Sequence, residues 1–105
     1  MKIYGLKTCD TCRKALKSLD GATLVDVRSD GLPASVMTRA ISAFGDDIVN
    51  KRSTTWRHLS DTDRQQEADR LIAAHPTLMK RPLIEQGETL YLGWTPEVRR
   101  ALGIS

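Results

Sequence analysis

A chain of 105 residues, 40% hydrophobic and 28% charged, has the size and composition of one soluble globular domain. No apolar run nears the ~20 residues that span a bilayer, and the N-terminal stretch lacks the apolar core of a signal peptide, so membrane and secreted classes are excluded as expectations. A formal charge of +3, scattered over Arg13, Lys14, Lys51, Arg52, Arg57, Lys80 and Arg81, is too weak to predict direct nucleic-acid binding.

In chain order, Met1–Leu6 reads as a first strand, with Gly5 placed to let the chain turn at its end. Cys12, Ala15, Leu16 and Leu19 then recur at helical spacing, with Arg13, Lys14, Lys17 and Ser18 on the other face. Asp20-Gly21 predicts a glycine C-cap, and the β-branched run Thr23–Val27 a second strand. A parallel return of this kind needs the crossover helix that the pattern supplies. Arg28–Gly31 reads as a polar connection, and Pro33 fits the first turn of a helix carrying Val36, Met37, Ala40, Ile41 and Phe44 on one stripe, stopped at Gly45. Asp46-Asp47 reads as a turn, and Asn50–Arg57 as a polar stretch anchored by Trp56. Ser60 predicts the N-cap of a helix that runs through Ala68, Leu71, Ile72 and Ala74 and ends at His75-Pro76. Leu83–Glu85 and Thr89–Leu92 are two short strands, with Gln86-Gly87 as the hairpin turn. Thr95-Pro96-Glu97 opens a last helix, with Val98, Ala101 and Leu102 inward and Gly103 as its cap. The order is β-α-β, helices over about 33–75, then β-β-α. That predicts one α/β domain over 1–105, a thioredoxin-like mixed sheet of the glutaredoxin type with a helical insertion.

The chemistry concentrates at Cys9-Asp10-Thr11-Cys12, a Cys-x-x-Cys at a strand-to-helix junction. Only the thiolate is nucleophilic, and a helix N-terminus with its unpaired N–H groups favours it. Cys9 at that terminus, with Lys7, Arg13 and Lys14 nearby, is expected below the ordinary ~8.5 of a free cysteine. Cys12 belongs to the apolar stripe, so it is expected buried and less acidic. The division of labour predicted is Cys9 attacking and Cys12 resolving the mixed disulfide. Two cysteines are too few for a disulfide scaffold, and an active pair suits the reducing cytoplasm. They are also too few for a zinc site, and His58 and His75 add no ligand spacing, so no metal is expected. Trp56, Trp94, Tyr4 and Tyr91 read as packing residues.

Three stretches together carry a family likeness: Cys9–Ala15, Asn50–Leu59 (NKRSTTWRHL) and Met79–Ile84 (MKRPLI). With them the chain resembles the arsenate-reductase-like (ArsC/Spx) family. The Asn50–Leu59 stretch and the short length look most like its YffB-type branch. The resemblance implies that Cys9 is the catalytic cysteine, that Arg81 lines an anion site, and that Pro82 is a cis-proline facing Cys9. Arg52 is the second candidate for that anion site, where planar guanidinium groups suit an oxyanion or the carboxylates of glutathione. The activity implied is a thiol–disulfide oxidoreductase with no bound cofactor, with glutathione as co-substrate, a small anionic or thiol substrate, and glutaredoxin as a partner. Two other readings belong to the family: an Spx-like redox-sensing regulator that binds RNA polymerase, and an arsenate reductase proper. The chain departs from the arsenate reductases in having a second cysteine, and in reading Tyr91-Leu92-Gly93 where they carry a further arginine.

Overall fold

A computed structural model describes residues 1–104. Contacts divide the chain into two compact units: Met1–Asp30 together with the chain from Arg81 onward, and Gly31–Lys80. The second unit takes in the segment read as a helical insertion.

In the first unit, β1 (Lys2–Gly5), β2 (Thr23–Asp26), β3 (Leu83–Gln86) and β4 (Thr89–Leu92) form one sheet in the order β2-β1-β3-β4. β1 and β2 are parallel, while β1–β3 and β3–β4 are antiparallel. Helix α1 (Asp10–Ser18) makes the crossover, and α7 (Pro96–Ala101) follows β4. This is the mixed thioredoxin-like sheet expected from the element order.

The register explains the packing. Ile3 lies opposite Leu24 on one side and Ile84 on the other, so the three share a face. Against that face pack Ala15 and Leu19 of the α1 segment, with Leu16, Tyr91, Trp94, Val98 and Leu102 around them. Ile3 and Ile84 are wholly buried, and full burial of such a side chain is worth about 1.5–3 kcal/mol. Burial therefore holds α1 on the sheet, because its N-cap, Cys9, makes no side-chain cap bond. The same burial sets the helix end. Leu19 turns into the core in extended conformation, its N–H donating to Ala15 O at 3.0 Å. The left-handed glycine, Gly21, comes two residues later, in the turn rather than at the cap.

Two other local expectations shift. The hairpin loop is Gly87-Glu88, one residue beyond the expected turn, because Gln86 pairs with Thr89. Gly87 has φ +60° and Glu88 has no positive φ, the pattern of a two-residue turn with glycine first. The polar connection after β2 contains a short helix, α2 (Val27–Asp30).

The second unit holds α3 (Ala34–Phe44), α4 (Thr54–Arg57), α5 (Asp61–Arg64) and α6 (Ala68–Ala74). Pro33 stands at the N-cap of α3, one step before the position expected. The helix predicted from Ser60 to His75 is two helices. Ser60 caps the first by accepting from Asp63 N, and Glu67 begins the second in extended conformation. Asn50–Arg57 is not all loop, since Ser53 accepts from Trp56 N and starts α4. Val49 and Met79 meet in an antiparallel bridge, flanked by bonds from Asn50 N to Leu78 O and from Lys80 N to Ile48 O, each 2.7 Å. Lys51 Nζ and Arg64 Cζ each lie over the Trp56 ring, 5.7 Å from its centroid. Among the described residues no helix is long and apolar enough to cross a membrane.

Candidate active site

The antiparallel pairing of β1 with β3 sets Tyr4 opposite Leu83. The two residues before Leu83 are Arg81 and Pro82, so this register brings them to the end of β1 from which the Cys9 loop departs. Arg81 is half-buried, Pro82 is fully buried, and the peptide between them is cis. Gly93 N donates to Pro82 O at 2.8 Å, which ties the end of β4 to the same place.

Cys9 is the half-exposed N-cap of α1, and its own N–H donates to Leu6 O at 3.1 Å. Cys12, one turn into the helix, is fully buried. Both thiols are free. Partial burial pushes the Cys9 thiol up, but it is outweighed. The backbone N–H and the thiol of Cys12 both hydrogen-bond Cys9, and the Arg81 guanidinium adds a hydrogen bond and its charge, so Cys9 is held below the ordinary thiol value. Burial drives Cys12 the other way, up to about 12; a hydrogen bond from the Leu6 backbone lowers it only in part, and Cys9 beside it raises it again. The contrast expected between the two cysteines is therefore present, with a different cation behind it. Arg81 acts on Cys9, whereas Arg13 is paired with Asp10 at 2.5 Å on the exposed helix surface.

Two supporting residues were not foreseen in these roles. Gly5 is needed for closeness more than for a turn: its backbone has no positive φ, and a Cβ there would overlap the Cys12 sulfur and lie 3.2 Å from Cys12 Cβ. The second is Asp26, opposite Gly5 at the end of β2. Its carboxylate accepts from Lys7 N at 3.1 Å and from Arg28 N at 2.9 Å, fixing the loop that leads into Cys9. The Lys7 N–H, then those of Arg28 and Ser29, hold the Asp26 carboxyl below its usual range. An Asx residue at a strand end is a generic turn signal, and nothing in the sequence tied it to Lys7.

The remaining predicted residues lie elsewhere. Arg52 belongs to the second unit, exposed, with its N–H donating to Asn50 Oδ1 at 3.0 Å. There it lines a cleft of about 200 Å³ with Asp46, Asp47, Asn50, Lys51 and Lys80. His58 is exposed and His75 half-buried, and no group of three or more potential metal ligands occurs among the described residues. Trp94 packs on the α1 face of the sheet, and its carbonyl accepts from Arg99 at 3.0 Å.

Against known proteins, a model of the ArsC family matches residues 4–102. An uncharacterized protein of Haemophilus influenzae is 41% identical over 108 residues, covering 94% of this chain and 95% of its own. Among solved structures, the YFFB protein superposes with a TM-score of 0.86 at 28% identity, covering 96% of each chain. An arsenate reductase (ArsC) related protein from Brucella melitensis gives a TM-score of 0.70 at 31% identity, covering 95% of this chain and 91% of that one.

Proposed function

The chain belongs to the ArsC family, and from that premise we propose that it is a glutathione-linked thiol–disulfide oxidoreductase with Cys9 as its nucleophile. One observation carries the reading: a half-exposed thiol at a helix N-terminus, held below the ordinary value beside Arg81, with a buried neutral thiol one turn on. The Cys9 thiolate attacks one sulfur of a disulfide. A Cys9 mixed disulfide forms and the other half leaves as a thiolate, which takes up a proton from solvent. A glutathione thiolate then attacks the other sulfur and releases Cys9 as its thiolate, or Cys12 attacks Cys9 Sγ, releasing the bound half as a thiol and leaving a Cys9–Cys12 disulfide that two glutathione molecules reduce. Arg81 offers a planar cation to a carboxylate or oxyanion of the substrate, next to the sulfur that reacts. The assignment uses first-unit residues alone and gives Arg52 no role. A cytoplasmic setting, rich in reduced glutathione, suits this cycle.

The family membership keeps arsenate in view as a substrate. Against it as the main one stands the β4 end, where Gly93 binds Pro82 O and no further arginine is supplied. Incubation with glutathione disulfide, followed by mass spectrometry and by the pH dependence of Cys9 alkylation, tests the proposal. A glutathione adduct on Cys9 and an alkylation midpoint below that of free cysteine are expected. No adduct, with a midpoint at or above the free value, would sink the assignment.

A further inference from the structure

A Cys-x-x-Cys invites the reading that its second thiol closes a disulfide. The surroundings of Cys12 argue for another role. Its sulfur lies in the core at zero exposure, pressed against Gly5 of β1. It takes a hydrogen bond from the Leu6 backbone N–H and shares one with Cys9. The order Leu6 N–H, Cys12 thiol, Cys9 sulfur is a short donor chain aimed at the nucleophile. To attack Cys9, Cys12 must first lose its proton. No charged or polar residue is buried among the described residues, so the core offers no carboxylate beneath Cys12 to take it. Burial, the largest cause holding the Cys12 thiol up, does not depend on the state of Cys9, so it still favours the neutral thiol when Cys9 is in a mixed disulfide.

We propose that Cys12 is a positioning residue for Cys9: its S–H donates to the Cys9 sulfur, in the free thiolate and again as that thiolate leaves the mixed disulfide, and glutathione, not Cys12, completes the cycle. This rests on the glutathione-linked reading above. The completing step balances without Cys12 changing its bonding. A glutathione thiolate attacks the glutathione sulfur of the Cys9 adduct, the Cys9–sulfur bond breaks, glutathione disulfide leaves, and Cys9 returns as the thiolate that Cys12 hydrogen-bonds. The Cys12 thiol remains reduced throughout.

Serine and alanine at position 12 separate donor from resolver, because serine keeps a donor and cannot form a disulfide. The proposal expects Cys12→Ser to hold the Cys9 alkylation midpoint within about half a pH unit of wild type. Cys12→Ala should raise it by about one unit or more, the loss of a hydrogen bond to a charged group. Glutathione-linked turnover of a small disulfide should fall by less than about tenfold in Cys12→Ser. Turnover abolished in both variants, with the Cys9–glutathione adduct piling up, would show that Cys12 resolves and overturn the proposal. Equal midpoints in wild type, serine and alanine variants would overturn it as well, since no donor role would remain. Wild-type protein treated with glutathione disulfide gives a check independent of variant folding. A Cys9 adduct with Cys12 alkylated once the protein is denatured is expected, and a Cys9–Cys12 disulfide without adduct contradicts it. If wild type shows no glutathione turnover while the serine–alanine difference in midpoint persists, the functional reading and the glutathione step fail together, and only the donor role of Cys12 stands.

Discussion

Gly5→Ala tests how tightly the strand and the catalytic helix are fitted. The added Cβ would overlap Cys12 Sγ, with Cys12 Cβ at 3.2 Å and Leu24 Cδ1 at 3.9 Å. Only the last is an ordinary contact distance. Cys12 has zero exposure, and Ile3, Ala15 and Ile84 around the same interface have none either, so the sulfur cannot swing out to solvent without moving its neighbours. Either β1 and α1 separate or Cys12 leaves its rotamer. Overpacking of this kind costs about 1–3 kcal/mol, and the overlap here places Gly5→Ala at the upper end, near 3 kcal/mol. A denaturant titration should show that loss as a lower midpoint at unchanged slope. The mechanism is isolated by a cycle with Cys12→Ala, which deletes the sulfur that the new methyl strikes. The double variant should recover about 1 kcal/mol or more relative to additivity. Equal destabilisation by Gly5→Ala in both backgrounds, or a loss under about 0.5 kcal/mol in the native background, would refute the steric argument.

Other consequences are as direct. Arg81→Met should raise the Cys9 alkylation midpoint by about one pH unit, removing a hydrogen bond and a charge, whereas Arg13→Gln should move it by no more than about 0.3; the reverse ranking would return the effect to the helix-surface cations. Asp26 has a folded pKa below its unfolded one, so its contribution to stability is present above about pH 4, the unfolded value, and is lost as pH falls through the lowered folded value. Asp26→Asn should therefore flatten the acid limb of a plot of denaturation midpoint against pH, and an unaltered limb would mean that the Lys7 loop does not depend on that carboxylate. Ser53→Ala removes the oxygen that accepts from Trp56 N at 3.1 Å, and should cost about 1 kcal/mol in chemical denaturation, with no change in Cys9 alkylation.

What could be read from the chain, and what could not, follows the range of the interactions. The β-α-β start and β-β-α end were legible because period-two and helical stripes are local, and Pro96 and Gly87 punctuate them locally. The break between α5 and α6 was not. Gln65-Gln66-Glu67 contains neither glycine nor proline, and the apolar face begins only at Ala68, so Ser60 to Ala74 passes for one helix. Helix α4 has no buried residue and hence no stripe to find; its one signal was Ser53 three residues before Trp56. At the site, the acidity of Cys9 is expected from the helix N-terminus and from the cations beside it in sequence, and the Cys12 backbone N–H bears out the first. The cation that acts is Arg81, brought in by the Tyr4–Leu83 register, a non-local fact visible only through the family likeness. The role of Gly5 is likewise a matter of what lies across from it, which no conformational preference reveals.

The central claim, that Cys9 is the nucleophile of a glutathione-linked oxidoreductase, is met most directly by one steady-state assay. Reduction of a small disulfide by glutathione is followed with wild type and Cys9→Ser at equal concentration. Turnover by wild type well above the uncatalysed rate, and none above it for Cys9→Ser, is the result predicted. Wild type no faster than glutathione alone, or Cys9→Ser as active as wild type, would contradict the claim.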